Sequence, residues 1–174
     1  MASRPTTAPV RPLVLSDASP IIALSLIDRL DLLAGLFGAI TITETVRAEV
    51  LPPGSKPGVS GIAAAIEAER IRVVADPLPD PPWPFLDEGE ATTLRAALNA
   101  ASKSRALVLI DERAGRALAH ELGLAHTGTV GVIVQAKRRG MIASSRAFFE
   151  ALLAHEFRVS AAMIRAALEQ AGEA

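Results

Sequence analysis

Four carboxylates are the residues of this chain best placed to do chemistry. Asp17 follows the apolar run Leu13-Val14-Leu15, and Asp111 follows Ala106-Leu107-Val108-Leu109-Ile110. Each run reads as a buried strand, and each aspartate stands where strand gives way to a helical pattern. In parallel α/β sheets, ligands bind at that C-terminal edge. Glu49 and Glu90 fall on predicted helices whose apolar stripes face the same sheet. Carboxylates gathered within a few ångströms raise one another's pKa unless a cation neutralises them. Hard oxygen donors, with no cysteine and no paired histidines, favour Mg²⁺ or Mn²⁺ over zinc. Such ions activate water and stabilise charge on a phosphodiester, with two ions about 3.5–4 Å apart in many nucleases. The chemistry this suggests is metal-dependent phosphodiester hydrolysis.

Each carboxylate also has a plain structural alternative. Asp17 could bond the backbone N–H groups of residues 18–20, although Ser19-Pro20 already reads as an N-cap and a first-position proline. Asp111 could cap a helix over 112–122. Glu49 stands three residues from Val46 and next to Val50, sharing their inward sector, where an unpaired carboxylate costs several kcal/mol. A surface edge is the alternative. Glu90 forms a capping box with Asp87, yet it is also in line with Leu94, Ala97 and Leu98. Gly89 permits close approach at a helical cost of about 1 kcal/mol. No one of the four decides the matter.

The elements that must position them follow from pattern. Residues 21–36 form one bent helix or two short ones, ended by Gly38. Strand 39–42 leads to Thr43, which can cap a helix over 44–51. Residues 52–58 are a Pro/Gly loop, 62–70 a helix and 71–75 a strand. Residues 76–84 are proline-rich and irregular, and 88–102 form a helix. After the strand at 106–110 come a helix at 112–122, a short strand at 124–126 and a helix at 128–139. Helices at 145–155 and 160–171 complete the chain. Strands alternating with helices predict a three-layer α/β/α sandwich with a central parallel sheet. Residues 1–11 read as a disordered tail, and 12–174 as a single domain.

Composition narrows the class. The 174 residues are 50% hydrophobic but only 3% aromatic, so the core is built from aliphatic side chains. With 18 Lys+Arg against 19 Asp+Glu, net charge is -1, and bulk charge announces no nucleic-acid partner. The absence of cysteine excludes disulfides and thiolate chemistry. No signal peptide and no run of roughly 18 apolar residues is present. A cytoplasmic protein without a membrane span is expected.

The ordered motifs Leu15-Ser16-Asp17-Ala18-Ser19-Pro20, Val46-Arg47-Ala48-Glu49, Asp87-Glu88-Gly89-Glu90-Ala91 and Leu109-Ile110-Asp111-Glu112-Arg113 resemble those of PIN domains. Thr127-Gly128-Thr129-Val130-Gly131-Val132-Ile133 is similar to a prokaryotic PIN subgroup once catalogued as a domain of unknown function. The resemblance implies a PIN-like α/β fold and a Mg²⁺- or Mn²⁺-dependent endoribonuclease acting on single-stranded RNA. It further implies the toxin half of a toxin–antitoxin pair, with an antitoxin protein as partner, and a homodimer. Carried over by position, Asp17, Glu49, Glu90 and Asp111 are the catalytic and metal-binding set, with Ser19 and Thr127 as supporting hydroxyls. Glu90 stands where many members have aspartate.

Remaining residues divide between function and structure. His120, His126 and His155 lack metal-ligand spacing. Lys137-Arg138-Arg139 reads as a solvated helix end or a phosphate contact. Arg113 and Arg116 bind phosphate or pair with the carboxylates. Trp83 and Phe85 anchor the proline-rich loop or stack a base. Phe148, Leu152, Leu153, Phe157 and Ile164 form core or a partner surface. A non-catalytic PIN-like module holding RNA or protein is the alternative function. A haloacid-dehalogenase-like phosphotransferase is weaker, because Ser19 stands where it needs a second aspartate.

Overall fold

The computed structural model describes residues 12–101 and 105–173. The predicted tail at 1–11 lies outside them. The chain runs β1 (Leu13–Ser16), α1 (Ala18–Leu26), α2 (Asp31–Phe37), β2 (Ile40–Thr43), α3 (Glu44–Val50), α4 (Val59–Glu67) and β3 (Ile71–Val74). It continues through α5 (Glu88–Ala101), β4 (Ala106–Leu109), α6 (Arg113–Glu121), β5 (Ala125–Thr127), α7 (Thr129–Arg138), α8 (Ser145–Ala154) and α9 (Ala161–Ala171). The strands pair in parallel in the order β3-β2-β1-β4-β5.

Period-two alternation assigns the two sheet faces. Val14 and Leu109 join a large cluster with residues of α1, α2, α7, α8 and α9, among them Leu24, Leu32, Ile133, Phe149 and Leu168. Leu15, Val108 and Ile110 join a smaller one with Leu94 of α5 and Leu118 of α6. Helices therefore cover both faces, as a parallel sheet requires. This is the expected three-layer α/β/α sandwich.

Strand order reverses between β1 and β4, which makes the gap beyond their C-terminal ends the switch point where open α/β sheets bind ligands. Register brings the two aspartates to that gap. Ser16 pairs with Leu109, and the Asp17 N–H donates to the Leu109 carbonyl at 2.9 Å. The Ile110 N–H donates to the Thr127 carbonyl at 2.8 Å, carrying the β4–β5 ladder one residue further. Asp111 emerges next.

Several boundaries differ from expectation. Residues 21–36 take the second of their two expected forms, the two short helices α1 and α2, with Asp28 between them at φ +54. Helix α1 begins at Ala18 with Asp17 at the N-cap position, so Ser19 is not the cap. Pro20 still sits in the first turn, where N–H groups lack intrahelical acceptors. Helix α4 starts at Val59, earlier than the predicted 62, behind Gly58 in the left-handed region. Helix α6 starts at Arg113, with Glu112 rather than Asp111 at its N-cap position.

The basic run at the end of α7 ties helices together. Lys137 Nζ donates to the Ala143 carbonyl at 2.6 Å, Arg138 to Gln170 at 3.0 Å and Arg139 to Leu36 at 3.0 Å. Arg138 and Arg139 stay exposed while making these bonds, so the run is a solvated helix end whose donors reach neighbouring carbonyls. Beside it, Glu173 receives the Ser145 N–H at 2.7 Å, the Arg146 N–H at 3.2 Å and the Ser144 hydroxyl at 3.1 Å. An anion at the start of α8 meets the positive end of the helix dipole. These donors hold the Glu173 carboxyl down at about 2, against a usual 4.5. Its contribution is therefore complete above 4.5 and is lost as pH falls through about 2. Glu173→Gln is expected to lower Tm by a few degrees at neutral pH, with the gap narrowing on acidification. Thermal denaturation followed by circular dichroism measures it.

Candidate functional site

Asp17 and Glu90 are the buried pair at the switch point, with 2% and 3% of their surface exposed. Asp17 Oδ1 and Glu90 Oε1 have no hydrogen-bond partner among the described residues. Buried polar atoms in native proteins are almost always bonded, and an orphan calls for an unseen partner. Burial pushes the Asp17 carboxyl up to about 7. The negative charges of Asp87, Glu49 and Glu90 add to that rise, and the Ala18 N–H opposes it. Burial likewise raises Glu90, helped by the charges of Asp87, Glu112 and Glu49. Asp17, Glu49, Asp87 and Glu90 thus act on one another through their charges, and Glu112 acts on Glu90.

Glu90 also fulfils its structural alternative. The Glu90 N–H donates to Asp87 Oδ1 at 2.8 Å and the Asp87 N–H donates to Glu90 Oε2 at 3.3 Å, a capping box at the start of α5. One glutamate oxygen caps the helix, and the other is the unpartnered buried Oε1 beside Gly115 of α6. The capping alternative is thus realised, through one of the two carboxylate oxygens.

Glu49 departs from expectation. It is exposed rather than core-facing, because Val46 and Val50 fill the buried stripe of α3 and Glu49 lies on its flank. Its carboxylate rests over the first turn of α5, where a Cβ on Gly89 would come within 2.7 and 2.9 Å of its oxygens. Partial desolvation and the charge of Asp87 raise its pKa. The two helices are fixed by Thr43, which caps α3 through the Val46 N–H at 3.3 Å and meets Thr92 of α5 at 2.9 Å.

Asp111 is held by Thr129, which its sequence context did not mark as a site residue. Its Oδ1 accepts the Thr129 N–H at 2.8 Å and its Oδ2 accepts the Thr129 hydroxyl at 2.6 Å. Burial raises its pKa on balance, while Thr129 and the Arg116 guanidinium pull it down. Among the described residues Asp111 therefore caps none of α6 and instead ties the end of β4 to the start of α7. The proposed hydroxyls, Ser19 and Thr127, bond no carboxylate among the described residues. The available signal was Gly128-Thr129 following a strand and opening a helix. Arg116 also donates to the Ile110 carbonyl at 3.3 Å, which places it with the cluster rather than on a free phosphate site.

Three glycines make room for three carboxylates. A Cβ on Gly128 would strike Asp111 Oδ1. One on Gly115 would strike Ile110 Cδ1 and come within 2.7 Å of Glu90 Oε1. Gly89 does the same for Glu49. The sequence marked only Gly89 for this role.

The family described as "DUF3368: PIN domain" matches residues 13–173. The chain belongs to the PIN-domain family. No curated protein and no solved structure matches it significantly. Membership gives the chain a nuclease-like PIN fold; PIN domains generally are nucleases and usually use divalent metal ions.

The PIN site here fits a hard divalent cation by its chemistry. Its donors are all carboxylate oxygens, and two buried ones lack partners. Among the described residues, however, no three acidic or histidine side chains group closely enough to hold an ion. One restraint is visible: Thr129 engages both Asp111 oxygens. Thr129→Val is expected to destabilise the PIN fold by about 2 kcal/mol, the usual worth of a bond to a charged group. The bond favours ionised Asp111, so the loss is largest at alkaline pH and smaller once Asp111 is protonated. Urea titrations at both ends of the pH range measure it.

Other residues resolve structurally. Arg95 lies 5.4 Å from the Trp83 ring and donates to the Pro81 carbonyl at 3.0 Å, so Trp83 anchors the proline-rich loop. Phe85 is 61% exposed. The His126 ring meets its neighbour's carbonyl at Leu124. Leu152 is core and Phe148, Phe157 and Ile164 pack on that core, while Leu153 is exposed. Among the described residues, no helix is long and apolar enough to cross a membrane.

Proposed function

We propose that this PIN domain is a Mg²⁺- or Mn²⁺-dependent endoribonuclease that hydrolyses phosphodiester bonds in single-stranded RNA. The observation that carries this is the pair of unpartnered buried oxygens, Asp17 Oδ1 and Glu90 Oε1, inside a group of mutually repelling carboxylates. Asp17, Glu49, Glu90 and Asp111 would hold the cation. Bound there, it supplies Lewis acidity toward the phosphodiester and lowers the pKa of water. Asp111, locked by Thr129, provides the rigid carboxylate, and Glu90 is fixed through its capping oxygen. Glu49, exposed at the rim, would accept a proton from incoming water at its carboxylate oxygens. The choice of RNA, a cytoplasmic toxin role, an antitoxin partner and a homodimer rest on the family resemblance.

A non-catalytic PIN module that binds RNA or protein is the second reading. It is favoured by the absence, among the described residues, of a ready three-ligand group and by Thr129 occupying both Asp111 oxygens. Cleavage separates the two. Purified protein is incubated with mixed single-stranded RNA, and with matched DNA, in Mn²⁺, Mg²⁺ or EDTA beside Asp17→Asn. The nuclease cuts RNA only with metal, and the variant does not. Folded protein that cuts nothing supports the binding module, and cutting that survives in the variant identifies a contaminant.

A further inference from the structure

A cleft of about 610 Å³ opens beside the acidic edge, between α1, the start of α6 and the turn joining α8 to α9. Its volume lies within the range of ligand sites, about 300–1,000 Å³. Ser19, Asp111 and Glu112 line one end, so the cleft runs directly into the carboxylate cluster. Ile22 and Leu26 of α1, with Phe157 of the turn, give it an apolar side. Arg113, His155 and Arg158 supply cationic or neutral donors, with Glu156 among them. Arg113 and Arg158 are exposed, and neither forms an ion pair with another described residue. By contrast Arg29, Arg47 and Arg95 are ion-paired, and the α7 basic run is bonded to carbonyls.

We propose that this cleft binds the nucleotide flanking the scissile phosphate of a single-stranded RNA. The inference rests on the ribonuclease reading of the neighbouring carboxylates. An unpaired nucleotide offers what the cleft can use: an anionic phosphate for Arg113 and Arg158, and a flat apolar base for Phe157 and the aliphatic wall. A stacked duplex offers no free base face to that wall. The first turn of α6 opens on the same cleft, and Glu112 leaves its N–H groups without a side-chain cap. Arg113 stands two residues beyond Asp111 at the start of α6, and Arg158 lies on the turn joining α8 to α9, so neither belongs to the carboxylate set proposed to hold the cation. They can hold the chain beyond the cleaved bond without neutralising the carboxylates that hold the cation.

The test is equilibrium binding of a fluorescein-labelled, mixed-sequence single-stranded RNA to the full chain, with Ca²⁺ replacing Mg²⁺ so that the strand stays intact. Wild type is compared with Arg113→Gln/Arg158→Gln, with Phe157→Leu, which keeps core packing, and with Arg72→Gln on β3 as control. The double variant is expected to bind about 10- to 100-fold more weakly. Its plot of log K against log salt should flatten by about 0.7 for each phosphate that is no longer neutralised. Phe157→Leu should weaken binding about 5- to 100-fold with the slope unchanged. In cleavage assays the cleft variants should raise KM far more than they lower kcat. Unchanged affinity and slope in the double variant overturn the proposal. Failure of wild type to bind RNA overturns it too, and turns the cleft over to a protein partner. If wild type binds RNA through the cleft yet never cuts, the cleft stands and the nuclease reading falls.

Discussion

Asp17→Asn is expected to stabilise the metal-free protein and to abolish phosphodiester cleavage. In the fold, the Asp17 carboxyl rises from 3.8 to about 7, chiefly by burial. The folded state therefore binds this proton more tightly than the unfolded chain. Stability is greatest below 3.8, declines by about 1.4 kcal/mol per pH unit as pH rises to about 7, and is level beyond. Asparagine does not ionise and escapes that decline. Its amide still buries polar atoms, so the net gain at neutral pH is about 2–4 kcal/mol, or roughly 5–10 °C in Tm. Below 3.8 the gain should vanish. Thermal melts across the pH range check this, and a variant less stable than wild type at neutral pH would make Asp17 a structural cap. Added Mn²⁺ should raise the Tm of wild type and leave the variant unmoved.

Gly115→Ala is the second large effect, and its sign runs against helix propensity. Alanine inside a helix usually gains about 1 kcal/mol over glycine. Here the new methyl would strike Ile110 Cδ1 and crowd Glu90 Oε1, and both neighbours are fully buried. Overpacking of this kind costs about 1–3 kcal/mol, which outweighs the propensity gain. Displacing the Glu90 carboxylate, a proposed cation ligand, should also weaken Mn²⁺ binding about 10- to 100-fold. Gly115 is what admits a glutamate at position 90. Shortening that side chain in Glu90→Asp/Gly115→Ala should recover part of the lost affinity. Strictly additive effects of the two changes would sever the link between them.

The sequence was most legible where periodicity and burial coincide. Leu13–Ser16 and Ala106–Leu109 read as strands because apolar runs ending in Asp have few other uses, and their parallel pairing follows from the helices between them. Asp17 and Asp111 were located for the same reason. Helix starts were less legible. Ser19-Pro20 carries the better capping signature, yet β1 pairs with β4 as far as Ser16 and the helix begins at once. Glu49 was misplaced because helical spacing alone does not separate the buried stripe from its flank. Gly128 and Thr129 stood in a motif but without a role, and Gly115 was unmarked, because each acts across elements distant in sequence, on Asp111 or Glu90. Charges behave similarly: Asp87 and Glu112 read as helix starts, and only the fold reveals their pressure on the cluster.

The most direct measurement is Mn²⁺ binding to the purified protein, followed by the loss of the free-ion electron paramagnetic resonance signal. Wild type is set beside Asp17→Asn, Glu49→Gln, Glu90→Gln and Asp111→Asn, with Asp76→Asn as a control outside the cluster. If the carboxylates act as one cation site, wild type binds Mn²⁺ and so does the control. Each cluster variant then binds at least about 10-fold more weakly. Equal binding by wild type and by both aspartate variants, or no binding by folded wild type, would contradict a metal centre at the switch point.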